Sequence, residues 1–216
     1  MRRLRRGFAE LRLGIPKPQG KLGGLVELVV IVALALGLAL AIQAWIVKPY
    51  QIPSESMEPT LDVGQRVLVN RFIYDFHEPH IGDIVVFHPP AGADNGTECG
   101  VPHPPDEACP RPTKEESSQN FIKRIVAGPG DTVSIKDGHP VVNGVEKTDE
   151  PYIIPCGSAG ACNLPKTITI PSGMYFMMGD NRGASDDSRF WGPVPKEWII
   201  GEAFATYWPP DRIGTL

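Results

Sequence analysis

The stretch IPSESMEPTL, residues 52–61, places Ser54 and Ser56 on either side of one glutamate, with Pro53 before them and Pro59 after. Proline fixes its own φ and restricts its neighbour, so both flanks of this short loop are stiffened. A serine hydroxyl becomes a useful nucleophile when it is held still and a base takes its proton. Histidine is the usual base, but the chain contains neither G-x-S-x-G nor D-S-G, and its five histidines are scattered. A second segment, FIKRIVAGPGDTV at 121–133, offers a different base. In a strand alternate residues share a face, which sets Lys123 with Phe121 and Ile125, and Arg124 with Ile122 and Val126. A lysine on an apolar face either extends its amine to water or is held neutral by loss of solvent. At pH 7 an unperturbed lysine is neutral in only about 0.04% of molecules, and a burial shift of about 3 units makes that fraction useful for general-base work.

These groups need a scaffold, and the sequence after Pro53 reads as strands. VGQRVLVNRF, DIVVFHP, FIKRIV, DTVSI, KTITIP, MYFMMGD and WIIGEAFATYW are short, rich in Val, Ile and aromatics, and bounded by Gly, Pro, Asp or Asn. Asp137-Gly138 and Asn143-Gly144 have the composition of tight hairpin turns. With no βαβ alternation and no fixed repeat, the expected class is mainly β, an antiparallel barrel-like domain. Residues 89–119 interrupt it. They are proline-rich and nearly free of large apolar groups, and are expected to form a surface insertion that carries no chemistry.

Ahead of the strands lies an apolar run. Leu28–Val47 is twenty residues with only Gln43 strongly polar, enough for a helix of about 30 Å, the thickness of a bilayer's hydrocarbon core. A cleavable secretory signal is the alternative, but the small-x-small Ala39-Leu40-Ala41 lies inside the run rather than after it. The expected organisation is a basic cytoplasmic tail at 1–24, a transmembrane helix at 25–47 and an extracytoplasmic domain at 48–216. Charge supports this order. Residues 1–24 carry seven Arg and Lys against Glu10, a balance of +6 that leaves −10 for the rest. The positive-inside tendency then puts the N-terminus in the cytoplasm. An acidic main domain argues against nucleic acid as a partner. Trp45 and Tyr50 fall where interfacial aromatics belong. Phe190, Trp191 and Trp208 are candidates for an apolar rim that dips into lipid.

All four cysteines, Cys99, Cys109, Cys156 and Cys162, follow the span, where an oxidising compartment favours disulfides. Three connectivities are possible, and the short separations favour Cys99–Cys109 and Cys156–Cys162. Neither spacing is C-x2-C, and no metal site is expected.

PSESMEPT, VGQRVLVN, GDIVVF, FIKRIVAGPGD and GDNRGASDDSRFWGPVP occur in this order after a single span. Together they resemble the conserved boxes of the bacterial type I signal peptidases, membrane-bound Ser/Lys endopeptidases. The resemblance covers Trp45 to Leu216 apart from 89–119. The self-cleaving SOS repressors share the Ser/Lys chemistry but lack the anchor and the GDNR…SDDSR…WG box. The resemblance implies Ser56 as nucleophile and Lys123 as general base. It implies that Ser54 and the Ser56 backbone N–H stabilise the oxyanion, and that Ser185 orients the lysine amine. Asp187 and Arg189 correspond to a supporting charged pair, and Asp180 and Arg124 to a structural salt bridge. The implied substrates are exported preproteins, cut after small side chains in an Ala-x-Ala-like pattern at the plasma membrane, without metal or organic cofactor. The Cys156–Cys162 pair resembles a loop disulfide of some members, whereas 89–119 has no counterpart. An anchored β domain that only binds exported chains is the competing class, and it gives no reason for Ser56 and Lys123 to occur together.

Overall fold

The computed structural model describes residues 21–93, 99–157 and 161–216, with backbone alone at 21–22 and 41–45. The chain divides into two units, residues 1–42 and 43–216. The first holds most of α1 (Lys21–Trp45). Its stretch Gly23–Leu40 has a mean hydropathy of 2.5 over 18 residues and is, among the described residues, the one helix long and apolar enough to cross a membrane. The Leu and Val side chains of this stretch are apolar and exposed on every face of the helix. Residues 1–20, with most of the basic tail, and the Trp45 side chain lie outside the description.

The helix ends at Trp45, two residues before the expected end of the span, because Val47 already pairs with Asn70 as the first residue of a strand. Strands β1 (Val47–Gln51), β2 (Arg66–Asn70), β3 (Ile84–Phe87), β4 (Phe121–Ala127), β9 (Met174–Met178), β10 (Val194–Pro195), β11 (Ile199–Trp208) and β12 (Gly214–Thr215) form an antiparallel sheet. Its order is β1-β2-β11-β3-β4-β9-β10, with β12 also on β11. Register shifts in β11 against β2 and β3, and in β4 against β9, are the irregularities that bend a strand and curl a sheet. A second, four-stranded sheet runs β7-β6-β5-β8, from β5 (Thr132–Lys136), β6 (His139–Val142), β7 (Val145–Glu146) and β8 (Leu164–Thr169). Two short helices complete the domain, α2 (Ile73–Phe76) and α3 (Ser188–Trp191).

Each of the seven expected strand segments contains a strand, and both expected hairpin turns form. Asp137 and Gly138 have φ of 49° and 81°, and Asn143 and Gly144 have 52° and 79°, the left-handed pairs that a two-residue hairpin requires. Three apolar clusters fill the domain. One joins Ile52, Met57 and Leu61 of the serine loop to Val67, Ile84 and Ile122. A second lies between β4, β9 and α3 around Phe87, Ile125 and Trp191. The third joins the second sheet to Val126, Phe176 and Met178.

Two expectations need correction. Residues 89–119 are more than a surface excursion. Their neck is zipped by Ala91 N–H to Glu115 O (2.8 Å) and Ser117 N–H to Pro89 O (2.7 Å). Small apolar residues then let the loop pack closely, so Ala93, Ala108 and Cys109 are buried and Cys109 N–H bonds Arg189 O at 3.1 Å. The lipid rim also fails as a group. Trp191 is fully buried against Phe87, and Phe190 is half-buried. Only Trp208, 50% exposed, presents its ring to the surroundings. The expected disulfides Cys99–Cys109 and Cys156–Cys162 are both present.

Candidate active site

The serine loop is closed at its base by Ile52 N–H to Gln65 O and Gly64 N–H to Ile52 O, both 2.9 Å. Between these ties Glu55–Met57 makes a single 3₁₀ turn, and Met57 and Leu61 sink into the core beneath it. This anchoring leaves Ser56 buried and Ser54 exposed beside it, their hydroxyl oxygens 3.3 Å apart.

Lys123 stands on β4, a strand paired on both sides, with Val85 of β3 directly opposite. Its backbone is therefore fixed, and its side chain is 4% exposed. Lys123 Nζ lies 2.7 Å from Ser56 Oγ, with the Phe121 ring centroid 5.5 Å away. Burial disfavours the ammonium and pushes the Lys123 pKa down to about 8, against the opposing pull of Asp187, Asp186 and Asp180. An amine so placed can take a proton from the serine.

Arg124, one residue on, points away from Lys123. It grips Asp180 with two bonds, Nε to Oδ1 at 2.9 Å and Nη2 to Oδ2 at 2.7 Å. Thr60 Oγ1, from the serine loop, donates to the same carboxylate at 2.5 Å. Asp187 and Arg189 form a second buried pair at 2.8 and 2.9 Å. Asp187 caps α3 through the Arg189 N–H and accepts Gly179 N–H at 3.1 Å. Burial works against this carboxylate, yet Arg189 and the Gly179 amide hold its pKa below the ordinary carboxyl value. Arg189 further donates to the carbonyls of Arg182, Ser185 and Ala161.

Ser185 is buried in this group, where its hydroxyl favours ionised Asp187. Its Oγ makes no well-formed hydrogen bond among the described residues, so the contact expected with Lys123 is not made. The site also contains groups that the sequence did not single out. Asn181 N–H donates to Ser56 O at 3.1 Å and its amide to Glu55 O at 3.3 Å. Arg182 is fully buried and paired with Glu150 at 2.6 Å. Asn181 and Arg182 are in the GDNR box that signalled Asp180, whereas nothing in the sequence around Glu150 marks it.

Ser54, Ser56 and Lys123 open into a cavity of about 300 Å³ walled by Pro53 and by residues 119–122. A neighbouring cavity of about 290 Å³ shares Pro53 and 119–122 and extends to Tyr50 and Val86. The two make a groove suited to an extended chain. A larger cleft, about 600 Å³ between Arg71 and Trp198, holds no comparable serine–lysine pair.

The sequence matches the signal peptidase family, peptidase S26, over residues 25–208. The chain is 37% identical to "Signal peptidase I" of Leptolyngbya laminosa, over 89% of this chain and 84% of that one. It is 31% identical to "Signal peptidase I" of Pseudomonas aeruginosa, over 84% and 72% of the two chains. It is 34% identical to "Thylakoidal processing peptidase 1, chloroplastic" of Arabidopsis thaliana, over 83% of this chain and 47% of the plant protein. With a match spanning the apolar helix and nearly all of the β domain, the chain belongs to the signal peptidases of the S26 family, which are serine peptidases.

Proposed function

We propose that this chain is a membrane-anchored endopeptidase that removes N-terminal signal peptides from exported preproteins, with Ser56 as nucleophile and Lys123 as general base. The carrying observation is the 2.7 Å approach of a buried lysine amine to a buried serine hydroxyl. With a pKa of about 8, roughly a tenth of Lys123 is neutral at pH 7.

In the proposed reaction neutral Lys123 accepts the Ser56 proton as Oγ attacks the scissile carbonyl. The Ser56 N–H and the Ser54 hydroxyl stabilise the oxyanion, each contributing about 3 kcal/mol. Lys123 returns the proton to the departing amine, leaving an ester on Ser56. A water then gives its proton to Lys123 and attacks the ester, and the released Ser56 oxygen recovers the proton. Asp187–Arg189 and Asp180–Arg124 support the site rather than react.

The apolar helix serves as the anchor, with the 1–24 tail in the cytoplasm and the β domain outside the plasma membrane. Nine positions separate Val47 from Ser56, a reach of roughly 30 Å when extended. That tether keeps the nucleophile close to the outer membrane surface, where the cleavage site of an exported chain emerges. Small residues such as Ala are the expected side chains at the first and third positions before the cut.

The test is cleavage of a purified preprotein with an Ala-x-Ala site by the detergent-solubilised chain, beside Ser56→Ala and Lys123→Ala. Cleavage by wild type and by neither variant supports the assignment. Cleavage that persists in the variants, or a folded wild type that cuts nothing, defeats it.

A further inference from the structure

We infer that Glu150 is a positioning residue for the Ser56–Lys123 pair, acting through Arg182 on the Gly179–Asn181 backbone that packs against the Ser56 carbonyl. The inference rests on the peptidase reading for its effect on turnover, and on geometry alone for its effect on the backbone.

Arg182 is buried with its guanidinium wholly inside the protein, and Glu150 is 4% exposed at the side chain. A buried guanidinium without an anion is strongly unfavourable, so Glu150 is what permits Arg182 to occupy this place. Both carboxylate oxygens are used: Arg182 Nη2 donates to Oε1 at 2.6 Å and Nη1 to Oε2 at 3.2 Å. The guanidinium's remaining bonds go to backbone. Nη1 donates to Gly138 O at 2.5 Å, and Nε to Gly179 O at 3.0 Å. Gly179 is the residue that touches the chemistry. A methyl group there would collide with the Ser56 carbonyl oxygen and with Ser185 Oγ. Its N–H is meanwhile held by Asp187. Gly179, packed under Ser56, is thus held through its N–H by Asp187 and through its carbonyl by Arg182.

Glu150 also reaches, through Tyr152, the Arg124 side of the site. Tyr152 Oη donates to Glu150 Oε1 at 3.2 Å, and the Tyr152 ring lies under the Arg124 guanidinium at 4.1 Å. Two backbone bonds fasten the same loop to the GDNR segment: Ile154 N–H to Asp180 O (2.9 Å) and Arg182 N–H to Ile154 O (3.0 Å). His139 Nδ1 lies 2.8 Å from Glu150 Oε2 and donates to it, completing the carboxylate's partners. From this clamp the next residue, Asn181, donates its N–H to Ser56 O.

Two variants of the full-length chain in detergent separate positioning from simple stability. Glu150→Met with Arg182→Met removes both charges at once, which avoids stranding either and keeps the fold. Arg182→Lys keeps a cation for Glu150 but has no planar fork to reach Gly179 O as well. Both should melt within a few degrees of wild type. Both should cleave preprotein with kcat lowered at least tenfold and KM within twofold of wild type. Amide exchange at Asn181 should be at least tenfold faster. Wild-type kcat in folded variants, or a loss that follows only the folded fraction, overturns the turnover claim. Unchanged Asn181 exchange overturns the positioning claim whether or not the chain cleaves. A wild type no faster than Ser56→Ala defeats the peptidase reading instead, and Asn181 exchange then still decides the backbone role of Glu150.

Discussion

Lys123 and Arg124 are consecutive on β4, yet one amine meets Ser56 Oγ at 2.7 Å while the other cation grips Asp180 across the strand. Strand alternation separates a cation that can lose its charge from one that keeps it. The amine of the proposed base is buried against a neutral hydroxyl, whereas Arg124 has a carboxylate fork of its own.

Lys123→Arg tests that separation. The guanidinium retains a cation on β4 but offers no neutral amine at workable pH. On the proposed mechanism kcat falls by about a thousandfold, the usual scale for a missing general base. Steady-state cleavage together with thermal melting checks this. An active Lys123→Arg protein sinks the Ser/Lys mechanism.

The pH dependence of rate and of stability should share one group. Because the neutral amine is the working form, kcat/KM should rise with pH and level off above about 8. Folding lowers the lysine pKa from 10.5 to about 8, so between these values the unfolded chain binds more protons. Stability should therefore increase with pH across that window, by about 3 kcal/mol from this one group. Below pH 8 its burial cost is fully present. Urea denaturation of wild type and Lys123→Met from pH 7 to 11 checks the sign: the difference between them should favour Lys123→Met at pH 7 and shrink as pH rises.

Ser54 is exposed at the groove, 3.3 Å from Ser56 Oγ, and its proposed work is confined to the transition state. Ser54→Ala should lower kcat by about a hundredfold while leaving KM nearly unchanged. A rise in KM alone would assign Ser54 to substrate binding instead.

Asp180 joins three parts of the molecule: Thr60 of the serine loop, Arg124 of β4 and its own GDNR segment. Asp180→Ala strands the Arg124 guanidinium, 13% exposed, beside a vacated carboxylate site. A loss of about 3 kcal/mol in unfolding free energy is expected. Asp180→Ala combined with Arg124→Met should recover part of it, and chemical denaturation of the three proteins measures both effects.

Much of this was legible in the sequence because it depends on local chemistry. Short runs rich in Val, Ile and aromatics between turn residues indicate the strands, and Asp137-Gly138 and Asn143-Gly144 supply the positive φ angles of their turns. Lys123 and Arg124 could be assigned to opposite faces from a period of two. Contacts set by distant partners were not legible. Glu150 looks like any acidic loop residue until Arg182, 32 positions later, is brought against it. Trp191 reads as an aromatic beside a glycine, and its burial depends on Ala93 and Phe87 from another part of the chain. The 89–119 segment lacks large apolar groups, but Ala108 and Cys109 need none to fill the narrow space they enter.

β3 and β4 are direct neighbours, with Phe87 opposite Phe121, and the chain between them leaves and returns through the Pro89–Ser117 and Ala91–Glu115 ties. Closing a longer loop costs little, about 0.6 kcal/mol for each doubling of length. The neck therefore works as a docking collar: the exposed run at 102–105 beyond it can be lengthened or trimmed while Ala108 and Cys109 stay seated in the core and Lys123 keeps its register against Val85.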